Sequence, residues 1–417
     1  MFQDILMLAA LFILRIAVPL LLVAGIGYSL AQRWTGVKLD FSPKFFTGVG
    51  LVLCIWAVAA IAIVLRLTAG LGAVTNLSDQ FPLGMWIGFD VMAGAMLGGG
   101  AFVLAGLVYV FGLERYRPIL RSTILTAFLG YSLLIVALLI DVGRPQNIML
   151  ARPVYFPNIH SVLWEVAMCV LCYTTVLALE FLPAVFERLR WRRAWIITHK
   201  ITLPLVIIGI LLSTMHQSSL GSMWLITPGK LDPLWYTPML PIFFWVSAVF
   251  VGLSMVAVES NLSSRGLKRG LEQDLLARLA KAASILMAVY VIAKLLDLVW
   301  RGQAWRLTEP TLQAVLFWIE VFLCALVPAI LLSRPKVRES KNLLFAVSGL
   351  VVIGGILNRL NVNMFGMYPY TGPIYIPSIF EIMVTAAMFT FGAAVFAVAA
   401  KFLPVFPHEE ATETVEA

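Results

Sequence analysis

Charge is scarce in this chain. Only 12% of its 417 residues are Asp, Glu, Lys or Arg, against roughly 25% in a soluble domain. Cysteine and histidine are scarcer still, at four each. Cys54, Cys169, Cys172 and Cys324 all lie inside apolar runs, which argues against a disulfide framework. Cys169-Val170-Leu171-Cys172 stands mid-run without a second pair, too few ligands for zinc or an iron–sulfur cluster. There is no Cys-x-x-Cys-His site for c-type haem. The absence of a P-loop disfavours an ATP-driven pump. A b-type haem needs two facing histidines at one depth; with His199 at an inner helix end and His408 in the tail, only His160 and His216 form a conceivable pair. No basic leader or small-residue cleavage site precedes the first apolar run, which reads as a retained span.

Apolar sequence is abundant. Hydrophobic residues make up 61% of the chain, its mean hydropathy is +0.94, and the runs approach the about 20 residues that cross a bilayer core. The expected fold is an all-α integral membrane protein. Eleven spans are predicted, near 5–30, 45–69, 84–112, 120–141, 160–182, 197–215, 239–259, 279–300, 312–332, 342–358 and 378–402, the first and tenth being the weakest. The net charge of +8 sits in short loops beside these runs, so it reads as a topology determinant and not as a nucleic-acid surface.

Every second loop is basic. Arg33, Lys38 and Lys44 fall in one, then Arg115, Arg117 and Arg121, then Arg188, Arg190, Arg192, Arg193 and Lys200. Arg265, Lys268, Arg269, Arg278 and Lys281 follow, and then Arg334, Lys336, Arg338 and Lys341. The positive-inside rule makes these loops cytoplasmic, with the N-terminus outside and the C-terminus inside. The other loops are longer and rich in Pro, Gly and aromatics, as in Tyr368-Pro369-Tyr370-Thr371-Gly372-Pro373. They suit docking to another protein or an aromatic belt at the membrane surface. Gly94, Ala95, Gly98, Gly99, Gly100, Ala101, Ala105 and Gly106 in the third span predict close helix packing. The tail 406–417 reads as disordered and acidic.

An ionisable residue inside a span costs roughly 2.5–3.5 kcal/mol on insertion scales and needs a partner or a purpose. Asp90, Asp141, Arg144, His160 and Glu165 all fall in the outer half of three consecutive spans. If those helices pack together, carboxylates, an imidazole and a guanidinium surround one pocket under apolar cover. Quinone chemistry needs such a place: apolar walls for ring and tail, hydrogen-bond donors for the carbonyls, and titratable groups for protons. A buried ion network tying helices together is the other reading. Thr126, Tyr131, Ser132, Tyr173, Thr174, Thr175 and Glu180 run inward from that cluster, as a proton path or as hydroxyls bonding their own helices. A second set, Lys294, Asp297, Arg301, Glu320, Arg359 and Glu381, favours a structural ion network, with Lys294 and Asp297 spaced to pair. Arg15, mid-depth in the first span, has no evident partner.

Several motifs carry a family resemblance. Trp86-Ile87-Gly88-Phe89-Asp90, Phe128-Leu129-Gly130-Tyr131, Ile140-Asp141-Val142-Gly143-Arg144, His160-Ser161-Val162-Leu163-Trp164-Glu165 and Thr214-Met215-His216-Gln217-Ser218-Ser219-Leu220-Gly221-Ser222 resemble the NrfD/PsrC (polysulfide reductase membrane subunit) family. So do Leu179-Glu180-Phe181, Phe186-Glu187-Arg188-Leu189, Phe317-Trp318-Ile319-Glu320, Arg359 and the Pro377 to Glu381 segment. Within that family the chain is most similar to the HybB-type membrane subunit of Ni/Fe hydrogenases and to the QrcD subunit. The resemblance spans about 70–405. It implies two four-helix bundles, near 84–215 and 239–358, within a domain of 45–405; residues 1–44, outside the resemblance, read as an additional transmembrane anchor or a contact for another subunit. It implies a subunit without haem, iron–sulfur cluster or metal, in the bacterial inner membrane, that reacts with menaquinone or another quinone near the periplasmic face. The partners it implies are a periplasmic ferredoxin-like iron–sulfur subunit and, beyond it, a hydrogenase, a multihaem cytochrome c or a molybdopterin enzyme.

The expected function is thus that of the quinone-reactive subunit of a respiratory oxidoreductase complex, inactive alone. Asp90, Glu165 and His160 are its candidate catalytic residues, and Tyr131, Asp141, Arg144 and Trp164 complete the quinone site. A secondary transporter, with a mid-membrane site among broken helices, and a pure membrane anchor are the alternatives.

Overall fold

The computed structural model describes residues 43–149, 155, 157–226, 228–371 and 375–406. No β-strand occurs among the described residues, and ten helices there are long and apolar enough to cross a membrane. They are α1 (Pro43–Ala69), α2 (Trp86–Val110), α3 (Arg117–Asp141), α4 (Val162–Leu189), α5 (Arg192–Ser222), α6 (Leu240–Leu267), α7 (Gln273–Trp300), α8 (Leu312–Ser333), α9 (Lys341–Thr371) and α10 (Ile379–Phe402). The expected first span, Arg15 and nearly all of the acidic tail lie outside the described residues.

Helices α4 to α7 run farther than their apolar runs at the end of the bundle that carries the basic loops. α4 continues to Leu189, α6 to Leu267, and α5 starts at Arg192. Hydropathy registers only the lipid-buried part; Arg, Leu, Lys and Glu then extend the helix on intrinsic propensity. Arg190 and Lys268, at φ 57° and 52°, take the left-handed conformation that stops α4 and α6. At its other end α5 continues to Ser222, which moves His216 from a helix end to a helix interior.

The chain divides into two compact units. In the smaller, Met1–Thr75 with Ser378–Thr390, the Trp56 indole donates to the Thr390 hydroxyl at 2.9 Å. There Ser378 donates its hydroxyl to Val74 O, and its N–H to the buried Glu381 carboxylate at 2.8 Å. In the larger unit each of α2 to α5 packs against the next, as do α6 to α9, and α6 also packs against both α2 and α5.

α2 is the most enclosed of these helices, and it is not evenly wound. A π-helical stretch (Trp86–Ala93) leads into an α turn (Gly94–Leu97), a break at Gly98 and Gly99, a second α segment (Gly100–Ala105) and a second π turn (Gly106–Val110). The break sits where α2 crosses α6. A Cβ on Gly99 would stand 2.6 Å from Ala248 O, and one on Gly100 2.7 Å from Gly252 O. The small residues therefore serve backbone-to-backbone packing, and they fuse the two helix groups along a glycine seam.

Candidate functional site

The break in α2 has a chemical consequence. Gly99 N–H bonds to Met96 O at 3.0 Å, three residues back. An α-helix would have given that donor to Ala95 O. The Ala95 carbonyl instead accepts from the Tyr131 hydroxyl of α3 at 3.0 Å and from Gln217 Nε2 of α5 at 2.8 Å. His216 Nε2 lies 2.6 Å from the same hydroxyl, and His216 Nδ1 lies 2.8 Å from Leu212 O one turn earlier. Since a carbonyl only accepts, Nδ1 carries the proton of the neutral ring, and Nε2 is an acceptor that competes with Ala95 O for the single Tyr131 hydroxyl proton.

Tyr131, His216 and Gln217 are all fully buried. Tyr173 of α4 closes the layer, edge-on to Tyr131 at 4.8 Å and tilted against His216 at 5.5 Å between ring centres. Gly98 leaves room for this packing, because a Cβ there would stand 2.6 Å from the Tyr131 ring. The layer is not saturated: the Tyr173 hydroxyl, the Ser213 hydroxyl and Gln217 Oε1 are buried without a hydrogen-bond partner. Such orphans are uncommon in native interiors and mark places where water or a ligand completes the set.

One turn along α5 from His216, Ser219 donates to Glu165 Oε1 at 2.7 Å. Glu165 sits in the first turn of α4, where Ser161 accepts from Trp164 N at 3.4 Å as the N-cap. A carboxylate there is stabilised by the positive end of the helix dipole. Glu165 and Trp164 are both half-buried.

Asp90 is half-buried in the π stretch of α2. That stretch is pinned at its start: Asn363 Nδ2, on a π turn of α9 (Asn361–Phe365), donates to Gly84 O at 2.9 Å, and Met85 N–H donates to the Tyr375 hydroxyl at 3.0 Å. Asp141 is the buried last residue of α3. Arg144 and His160 lie beyond the helix ends and are exposed. Of the seven candidate site residues, the structure joins Tyr131 to His216 and Gln217, and Glu165 to Ser219. His216, Gln217 and Ser219 belong to one motif in the sequence; their polarity inside an apolar helix was the signal for their role.

The hydroxyls expected to run inward divide. Ser132, Thr174 and Thr175 bond the carbonyls of their own helices at 2.7, 2.7 and 2.9 Å. Tyr131 and Tyr173 do not, and belong to the layer above.

The second charged set forms around Glu320, on a π stretch (Ile319–Leu326) of α8. Lys294 of α7 pairs with Oε1, which also accepts from Asn358 Nδ2 at 2.8 Å. Oε2 accepts from Trp235 Nε1 at 2.8 Å and from Asn361 Nδ2 at 2.7 Å. Arg359, fully buried, donates to Asn358 Oδ1 at 2.6 Å and to Phe244 O and Ser247 Oγ at 3.0 Å each. Lys294 and Asp297 do not pair as their spacing suggested. Lys294 turns to Glu320, and Asp297 takes Arg301 one turn on at 2.8 Å. Arg301 also donates to Pro233 O and Tyr236 O at 2.7 and 2.9 Å, fixing the loop that presents Trp235. In that loop burial pushes the Asp232 carboxyl above the usual carboxylate range, against the pull of the Leu234 N–H and Arg306.

Among the described residues no group of three His, Cys, Asp or Glu side chains could hold a metal ion. The donor set does not fit a bis-histidine haem either: both ring nitrogens of His216 are engaged, and His160 and His199 are exposed.

Comparison with known proteins adds three findings. The family described as "Polysulphide reductase, NrfD" matches residues 73–368. A "Probable Ni/Fe-hydrogenase 2 b-type cytochrome subunit" of Escherichia coli (strain K12) is 34% identical over 376 residues, covering 89% of this chain and 94% of that protein. A "Menaquinone reductase, integral membrane subunit" of Nitratidesulfovibrio vulgaris is 29% identical over 376 residues, covering 82% of this chain and 87% of its own.

Proposed function

The chain belongs to the NrfD family of polysulphide reductase membrane proteins, and on that premise we propose that it is the quinone-reactive membrane subunit of a respiratory oxidoreductase complex. The observation that carries this reading is a two-tier arrangement. Half-buried Trp164 and Glu165 stand over a buried, unsaturated layer of Tyr131, His216 and Gln217, and Ser219 bridges toward it. Menaquinone, named for the N. vulgaris relative, is the substrate we assign, with other quinones of the same chemistry.

A quinone ring that enters among Asp90, Trp164 and Glu165 finds apolar walls and an aromatic face. Its conversion to quinol takes up two electrons and two protons. Asp90 and Glu165 exchange the protons, as positioned acids and bases at the ring. His160 or Arg144, exposed beyond the helix ends, donates a hydrogen bond to a carbonyl once the ring is bound. Asp141 closes the same end of α3. Ser219 holds the Glu165 carboxylate, and the Tyr131 layer keeps water-competent groups beneath it. The electrons come from, or pass to, a ferredoxin-like iron–sulfur subunit on the loops rich in Pro, Gly and aromatics, with a hydrogenase, multihaem cytochrome c or molybdopterin enzyme beyond it. Those loops then face the periplasm, and the basic loops face the cytoplasm.

The test is a titration of the purified complex with a fluorescent quinol-analogue inhibitor, wild type against Asp90→Asn. Saturable binding that weakens in the variant supports the site. Undiminished binding moves the site elsewhere. No binding in an intact complex favours a pure anchor or a transporter.

A further inference from the structure

The cations of the basic loops are not all engaged alike. Arg121 of α3 donates to Glu187 at 2.8 Å and to Pro404 O at 2.9 Å, Arg265 donates to Asn342 Oδ1 at 2.9 Å, and Arg269 pairs with Glu272 at 3.2 Å. Around the α4–α5 turn the pattern differs. Arg188 and Arg190 at the end of α4, and Arg192, Arg193 and Lys200 at the start of α5, are all exposed. Among the described residues none of these five side chains makes an ion pair or a hydrogen bond. The carboxylates beside them are already taken, Glu187 by Arg121 and Glu114 by Arg117, each at 2.8 Å.

Topology calls for net positive charge in a loop and is indifferent to where in the loop it falls. Arg192 and Arg193 stand in the first turn of α5, where no acidic residue offsets them and the helix dipole opposes a cation. The same turn carries aromatic rings and an unused donor. Trp191 is exposed and stacks on Phe186 at 5.9 Å between ring centres. Trp195 lies against His199 at 4.2 Å, and its indole N–H is buried without an acceptor. Directly below, one exposed row follows Arg193 along α5 at helical spacing: Ile197, Ile201, Pro204, Ile208 and Leu211. From Ile197 to Leu211 this row covers about 21 Å at 1.5 Å per residue, against about 15 Å for half of a bilayer core.

We propose that the α4–α5 turn is a binding site for an anionic phospholipid, its phosphate held by Arg192 and Arg193 and an acyl chain laid along the exposed row of α5. A guanidinium meets a phosphate with paired N–H donors, and Lys200 is long enough to snorkel to the same level. Arg188 and Arg190 add to the local positive field, and Trp191 sits where aromatic rings settle, at the boundary of headgroup and chain. A zwitterionic headgroup brings a cation of its own, and at that level no free carboxylate among the described residues receives it. Free phosphate has the charge but nothing to lay on the apolar row. The site makes no use of the quinone chemistry and stands whatever becomes of that reading.

The test is equilibrium binding of acyl-labelled phosphatidylglycerol to the full chain in neutral detergent, beside phosphatidylcholine with the same chains. Phosphatidylglycerol is expected to bind saturably and the zwitterionic lipid far more weakly. The double substitution Arg192→Gln with Arg193→Gln weakens phosphatidylglycerol binding about thirtyfold, about fivefold per cation. Equal affinity for the two lipids, or an undiminished affinity in the double variant, overturns the proposal. Should that variant fail to insert, the wild type decides. Raising salt from about 0.1 M to about 1 M shrinks the reach of exposed charges from about 10 Å to about 3 Å and weakens phosphatidylglycerol binding about fivefold or more; binding indifferent to salt overturns the site. Inorganic phosphate at matched ionic strength leaves the lipid in place. Displacement by phosphate assigns the turn to a free anion and overturns the lipid reading.

Discussion

Glu320, in the second helix group, has donors on both carboxylate oxygens: Lys294, Asn358, Trp235 and Asn361. In the first group Tyr173, Ser213 and Gln217 bury oxygens that no protein group bonds. Both clusters sit beside π-helical stretches and both are sealed from lipid, so burial alone does not separate them. Saturation of the polar centre does, although Arg359 Nε and Asn361 Oδ1 in the Glu320 cluster are also buried without a partner. A carboxylate with both oxygens bonded is a clamp whose worth is spent on holding α7, α8 and α9 together. A layer left open at its centre keeps capacity for protons, water or substrate, at a cost in stability.

Four substitutions break or sharpen that contrast. Glu320→Ala leaves Lys294 buried without a counter-charge and destabilises the protein by about 3–5 kcal/mol; thermal unfolding in detergent reads it, and quinone-analogue affinity in the surviving fraction stays normal. Asp90→Asn does the reverse. Assembly is retained and quinol turnover falls by about a hundredfold or more, the contribution of a positioned proton-transfer group. Normal turnover in an assembled Asp90→Asn complex removes Asp90 from the site. Tyr131→Phe removes the one hydroxyl proton for which Ala95 O and His216 Nε2 compete and costs about 1–3 kcal/mol as an unsatisfied buried acceptor, read in the same unfolding assay. His160→Ala changes stability by less than about 0.5 kcal/mol, as exposed positions do. Its effect on turnover then decides whether His160 touches the quinone, because packing contributes nothing there.

The helices were legible because a bilayer demands long apolar runs, and ten of the eleven expected spans coincide with described helices. Their extensions at the basic loops were not, since hydropathy stops where lipid stops. The five-residue shortfall at one end of α5 and the longer one past residue 215 had a price in the site: His216 looked like a helix-end residue and is an interior one. The polar positions of the second set were legible as a network, but its pairing was not. Lys294 and Asp297 share a helix face, and only the packing of α8 against α7 reveals that Glu320 reaches Lys294 first. The winding of α2 was the least visible. Its glycines announced close packing, and nothing in their spacing announced a freed carbonyl.

The oxygen shared by Tyr131 and Gln217 belongs to the backbone of Ala95, and every amino acid carries it. An inhibitor that displaced one of those side chains and bonded Ala95 O would meet an acceptor that no point substitution at residue 95 deletes. Resistance would have to arise at Gly98 or Gly99, by rewinding the helix so that Gly99 N–H reclaims the oxygen. The glycine seam against Ala248 and Gly252 leaves little room for a side chain there, so the route to resistance runs through damage to the fold itself.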